Sequence, residues 1–195
     1  MLTAQLMDDS SAFTIIELLI TLVVISVVLA TGTPSAVRWV RAMEVRSSAE
    51  SLRSALQRAR AEAIARNTRI RISLSDSRGV PGWSVTCVYA TAACPSPLLA
   101  HPLEASSLVR WGGAQLAGSS KTDTALRAGV ALPGTLDFFP LGDVPQVIRG
   151  TDIARVDVIH SAAGDDVRLV LKVDGAGTIR LCNPARPTAH PEACH

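Results

Sequence analysis

Four cysteines, Cys87, Cys94, Cys182 and Cys194, fall into two close pairs. An even count in an exported chain points to two disulfides. Four cysteines leave three pairings open, and short loops favour Cys87–Cys94 and Cys182–Cys194. His190 and His195 flank Cys194, but no Cys-x-x-Cys knuckle accompanies them, so no metal is expected there. Asp165, Asp166 and Asp174 have the chemistry to hold a cation, yet acids beside glycine turns more often cap backbone amides. A second set is basic. Arg168, Lys172 and Arg180 alternate with apolar neighbours near the C-terminus, and Arg186 follows. On the outer face of a hairpin, opposite Leu169 and Leu171, they would form a stripe able to track nucleic-acid phosphates. The same spacing also makes an ordinary solvated face. Nucleophile elbow, phosphate loop and His-Glu-x-x-His motif are all missing from the sequence. Gly175-Ala176-Gly177 is a glycine turn outside any phosphate-loop context, and the histidines are scattered. The sequence therefore predicts neither an enzyme nor a bound cofactor.

The remaining candidate is Glu17, a carboxylate at the mouth of an apolar run. Asp8, Asp9 and Glu17 are the only charged residues before Arg38. Residues 13–37 are long and apolar enough to form a membrane-spanning helix of roughly twenty or more residues. A secretory signal peptide would need a basic start and a small-residue cleavage site after the apolar segment; no Lys or Arg precedes Arg38, so an ordinary signal peptide is a poor match. A carboxylate at this depth is costly unless paired or close to the interface, although an acid in a first helical turn also favours the helix N-terminus.

Beyond Pro34 the composition changes. Residues 37–67 are rich in Ala, Arg, Glu and Leu, good helix formers. Val45, Ala49, Leu52, Leu56, Ala59 and Ala63 recur at steps of three and four, which lays one apolar stripe along a helix. Asn67 is a suitable helix end because Asn tolerates left-handed backbone angles. Residues 69–75 then alternate polar and apolar as a half-buried strand does. Turn residues at 77–82 lead to a second strand at 83–89, and further strands are expected at 136–139, 155–160, 167–173 and 178–182. Residues 90–102 read as a Pro-rich loop, 112–124 as a mobile Gly/Ser-rich segment, and 183–195 as an irregular tail tied down by Cys194.

Ala12-Phe13-Thr14-Ile15-Ile16-Glu17-Leu18-Leu19 resembles the class III signal of type IV pilins and pseudopilins. The resemblance implies that a prepilin peptidase cuts between Ala12 and Phe13 and that the new N-terminus is methylated. It implies that Glu17, then the fifth residue, pairs with the α-amino group of a neighbouring subunit. Pro34 falls where that family often carries a helix-kinking proline. Leu52 to Asn67, with its Ala-Arg-x-Glu-Ala-Ile-x-Arg-Asn run, is similar to the helix end of the GspH/FimT-like group of minor pilins and pseudopilins. Phe139-Pro140-Leu141-Gly142 and the closing Arg180-Leu181-Cys182-Asn183-Pro184 look like the same group. Some of its members are DNA receptors with a Gly-Arg-x-Arg motif; here the run is Gly177-Thr178-Ile179-Arg180, which keeps only Arg180.

The expected fold is α+β: a long N-terminal helix, membrane-spanning in its first half, packed on a small antiparallel β domain. The expected divisions are a leader at 1–12, the helix at 13–67 with its span at 13–37, and an extracytoplasmic domain at 68–195. The expected function is that of a low-copy structural subunit of a type IV pilus, in the tip or initiation complex. Its partners would be the prepilin peptidase, the inner membrane, and other major and minor pilins. A pseudopilin of type II secretion and a DNA-binding minor pilin of natural transformation are the alternatives.

Overall fold

The computed structural model describes residues 14–77, 80–101, 108–115, 126, 128–162 and 167–194, apart from the side chains at 31, 32, 76, 77, 80, 81 and 148. Helix α1 runs Ile15–Ala65. Two compact units divide the chain at Trp39 and Val40.

In the first unit, Thr14 opens the helix by accepting a hydrogen bond from the Glu17 amide at 3.3 Å, the first half of a capping box. Every large apolar side chain from Ile15 to Leu29 is more than half exposed. Hydroxyls along this part of the helix return to its own carbonyls: Thr21 to Leu18 at 2.8 Å, Ser26 to Val23 at 2.7 Å and Thr33 to Leu29 at 2.5 Å. Such internal satisfaction suits a helix surrounded by hydrocarbon, where no water is at hand to take those donors. Pro34 lies inside the helix, where its missing N–H leaves the carbonyl of Ala30 without its usual donor.

In the second unit, the rest of α1 packs with two four-stranded antiparallel sheets. The strands are β1 (Ile70–Ser77), β2 (Val80–Cys87), β3 (Leu99–His101), β4 (Val109–Ala114), β5 (Gly134–Phe138), β6 (Arg155–His160), β7 (Arg168–Val173) and β8 (Ile179–Cys182). They are ordered β3-β2-β1-β5 and β4-β6-β7-β8. The helix stripe is the inner wall of the core: Val45, Ala49, Leu52, Leu56, Ala59 and Ala63 are each at most 2% exposed. Against it lie Ile70, Ile72, Leu74, Leu136 and Phe138 from the first sheet, with Trp111, Val156, Val158 and Leu171 from the second. Polar contacts fix the helix on the second sheet. Trp111 Nε1 donates to Ser48 Oγ at 3.0 Å, and His160 Nε2 meets Glu44 Oε2 at 3.0 Å. Asn67 ends the helix at φ 47°. The Thr68 amide reaches back to Ala63 and the Asn67 amide to Ile64, the paired bonds of a Schellman motif.

Several elements differ from the sequence expectation. Residues 80–82, expected in a turn, open β2, where Val80 pairs with Ser77. The expected loop at 90–102 contains β3, a short edge strand on β2. The expected mobile segment at 112–124 begins as the end of β4, which pairs along β6; the rest of that segment, apart from 112–115, lies outside the described residues. Gly113 is there because the strand is crowded: a Cβ would sit 3.2 Å from Ile153 Cδ1. A short helix α2, Pro145–Arg149, was not anticipated, since five residues are too few to display a helical period. The segment after it covers β5, the outer strand of the first sheet. Asp152 Oδ2 accepts from the Asp137 amide at 2.7 Å, and the Ile153 amide donates to Thr135. Strand-edge groups open to pairing with another chain are thereby occupied.

Candidate functional sites

Glu17 lies in the first turn of α1 and Pro34 within it. Ala12 and Phe13 lie outside the described residues, as do Asp165 and Asp166. Between Glu17 and Arg38 stand twenty uncharged residues; at ~1.5 Å per helical residue they span ~30 Å, the thickness of a bilayer's hydrocarbon core.

The cysteines pair as the short loops suggested: Cys87 with Cys94 and Cys182 with Cys194. The first closes the turn after β2. The second folds the tail back on β8, where the Asn183 amide donates to Glu192 at 2.7 Å. With its sulfur bonded to Cys182, Cys194 is no metal ligand for the histidines beside it. Asp174 accepts the amides of Ala176 and Thr178 at 3.0 and 2.9 Å, the work of an Asx turn.

The basic stripe does not form as a unit. Lys172 stands opposite Arg180 across the β7–β8 pair, and Arg180 is exposed. Arg168, expected on the outer face beside them, is 5% exposed. Its Nη1 donates to Asp157 Oδ2 at 2.8 Å. The same carboxylate takes Arg155 through Nε at 2.6 Å and Nη2 at 2.7 Å, and the Leu126 amide at 3.0 Å. The cause is the buried anion. Asp157 is fully buried, and a charge out of water persists only with partners, so Arg168 turns inward to it. Arg186 lies apart from Lys172 and Arg180, on a groove between the tail and α1.

A matching centre occupies the first sheet. Arg71 grips Asp137 with two bonds at 2.7 and 2.8 Å, and Arg69 Nη1 approaches the same carboxylate at 3.5 Å. The Arg69 guanidinium also stacks over Phe139 at 4.7 Å and Tyr89 at 5.8 Å, a cation–π arrangement. The bond to Asp137 holds the Arg71 guanidinium above its ordinary pKa, with burial opposing. Asp152 is also pushed up, chiefly by burial and further by the Asp137 charge; the amide it accepts pulls the other way. Sequence reading missed both centres, because an acid at an alternating strand position looks solvent-facing. The one available signal was Arg155-x-Asp157, two opposite charges on one face of one strand.

A helix bearing an unburied apolar first run with one carboxylate at its mouth, and whose later stripe is buried beneath two antiparallel sheets, defines a pilin-like subunit. Residues 48–191 match the family model described as Type II transport protein GspH, and residues 7–33 match the prokaryotic N-terminal methylation motif. The chain belongs to the GspH family, a family of structural pilins and pseudopilins and not of enzymes. Two crystal forms of the type IV minor pilin FimU of Pseudomonas aeruginosa are each 22% identical to it. They cover 78% and 77% of this chain and 96% and 99% of their own, with TM-scores of 0.48 and 0.46. No curated relative matches.

Proposed function

We propose that this chain is a low-copy structural subunit of a type IV pilus, acting in its tip or initiation complex. The observation that carries the reading is the methylation motif joined to an exposed apolar helix with Glu17 at its head. A prepilin peptidase cuts between Ala12 and Phe13, and the freed amine is methylated. The run 13–37 holds the chain in the inner membrane and later packs among the helices of other major and minor pilins. Glu17 pairs with a neighbour's terminal amine, so both charges leave water together and set the register. Pro34, near the end of that run, weakens the helix ladder there. The β domain, outside the cytoplasm, contacts other minor pilins.

Mass spectrometry of filaments sheared from the native host tests this. The expected result is a peptide beginning with N-methylated Phe13 in the sheared fraction. An intact leader, with the protein confined to the membrane, would end the assembly reading. Membership of the type II transport GspH family favours a second reading, a pseudopilin of a periplasmic type II secretion pseudopilus. A processed N-terminus found only in membranes would select it. The adjacency of Lys172 and Arg180 supports a narrower form of the DNA-uptake reading. It requires salt-sensitive duplex binding that Lys172→Ala and Arg180→Ala abolish.

A further inference from the structure

A groove of about 350 Å³ lies between α1 and the end of the second sheet. Its floor is apolar, with Val45, Leu169 and Leu181. Its walls carry Arg46 and Arg53 from the helix and Arg186 from the tail, against Glu50 and Glu192. Arg53 is incompletely matched: its Nε is buried with no hydrogen-bond partner among the described residues. Its ion pair with Glu50 is loose, at 3.6 Å through Nη1. A buried guanidinium nitrogen without an acceptor is costly; the Arg53 side chain as a whole is 39% exposed, and its open end is what a carboxylate entering the groove would meet.

We propose that this groove binds an extended acidic segment of a neighbouring pilin subunit, its carboxylates set against Arg53, Arg46 and Arg186. The commitment to an extended chain follows from shape and charge. The helical wall from Ala42 to Arg53 is ~16 Å long at ~1.5 Å per residue. That length takes about five residues of extended chain at ~3.3 Å each, alternating between the apolar floor and the arginine walls. Arginine suits the task because its planar fork matches a carboxylate in two places. The Cys182–Cys194 bridge has a part in this. It closes the tail that supplies Arg186 and Glu192 and, with the Asn183–Glu192 backbone bond, holds one wall of the groove in place. The neighbour as source rests on the pilus reading; the groove's preference for an acidic chain does not.

The test uses the full chain in detergent micelles. The probe is a fluorescein-labelled decapeptide of alternating Glu and Val, read by anisotropy at low and high salt. A Lys/Val peptide and a short DNA duplex serve as comparisons. The Glu/Val peptide is expected to bind, with affinity falling at least tenfold in high salt. Arg53→Ala, Arg186→Glu and the double variant Cys182→Ser/Cys194→Ser are each expected to weaken it by about tenfold. Arg186 is exposed in the tail, so its reversal leaves folding intact even if the other variants are unstable. Lys172→Ala with Arg180→Ala should leave peptide binding unchanged. Absence of peptide binding, binding indifferent to Arg186→Glu, or binding of duplex alone would overturn the inference. If filaments still contain the processed chain while its groove takes no peptide, the groove fails and the proposed function stands.

Discussion

Replacing Asp157 with Asn is the sharpest probe of the second sheet. The carboxylate is fully buried and accepts four hydrogen bonds, three from two arginines and one from the Leu126 amide. Asparagine keeps the shape but removes the charge and turns one acceptor into a donor facing other donors. Two guanidinium groups, 2% and 5% exposed, then lose their shared counter-charge. Breaking a buried ion pair from one side costs about 3–5 kcal/mol. Total stabilities of about 5–15 kcal/mol make that a large fraction of what holds the domain. At about 2–4 °C per kcal/mol for a chain of this size, Tm should fall by about 6–20 °C. The assay is a thermal melt of the full chain in detergent micelles, followed by tryptophan fluorescence. Arg180→Ala, at an exposed position on the same hairpin, serves as the control and should move Tm by less than about 2 °C, as surface changes do. A drop for Asp157→Asn no larger than the control's would refute the placement of Arg155 and Arg168 around this anion. Arg168→Ala would then regain its value as a test of DNA binding, which its burial now denies it.

Gly177 has φ +74°, and a Cβ there would meet the Gly142 carbonyl, 3.1 Å from its carbon and closer still to its oxygen. That oxygen accepts from Arg60 Nε at 3.0 Å, so Gly177→Ala should cost about 1–3 kcal/mol from backbone strain, with the loss of the Arg60 tie as a further cost, visible as a lower denaturation midpoint. Asp152 has a folded pKa above the ordinary 3.8, so its native form binds more protons between those two values. Stability therefore falls as pH rises through that window and the penalty persists above it. Asp152→Asn, which still accepts the Asp137 amide, should be more stable than the parent at neutral pH, and the difference should vanish in melts below pH 3.8. The two disulfides close short loops, with cysteines 7 and 12 residues apart. By chain entropy each is worth about 2.5–3 kcal/mol, so removing Cys87 and Cys94 together should lower the melt by several degrees without abolishing the fold.

Much of the architecture was legible because it is repetitive and local. Twenty uncharged residues after Glu17 are long enough to span hydrocarbon whatever follows them. The stripe from Val45 to Ala63 is a period that only a helix can present on one side, and all six of its members are buried. The cysteine pairing was readable because seven- and twelve-residue separations bring partners together at little entropic cost. The division of the strands between two sheets, by contrast, arises from contacts far apart in sequence, such as β1 beside β5 and β4 beside β6. So did the strand character of residues 99–101 and 112–114, whose Gly and Ala become strand only because a partner strand or a crowded side chain requires it.

Charge was the least legible feature. Alternation along β7 correctly implies that Arg168 and Lys172 share a face, but it carries no information about what lies over that face. Asp157, eleven residues away, and the Leu126 amide decide that one of these cations is buried in an ion pair while the other stands beside Arg180. Arg186 likewise becomes a groove residue because the tail, bonded to β8 through Cys182–Cys194 and the Asn183–Glu192 backbone bond, folds back beside α1. Sequence by itself determined the helix, its apolar run and stripe, and the strand alternation, because each is set by neighbours a few residues apart. Tertiary structure alone decided which charges are paired and which are presented, because desolvation depends on what covers a residue and the covering comes from elsewhere in the chain.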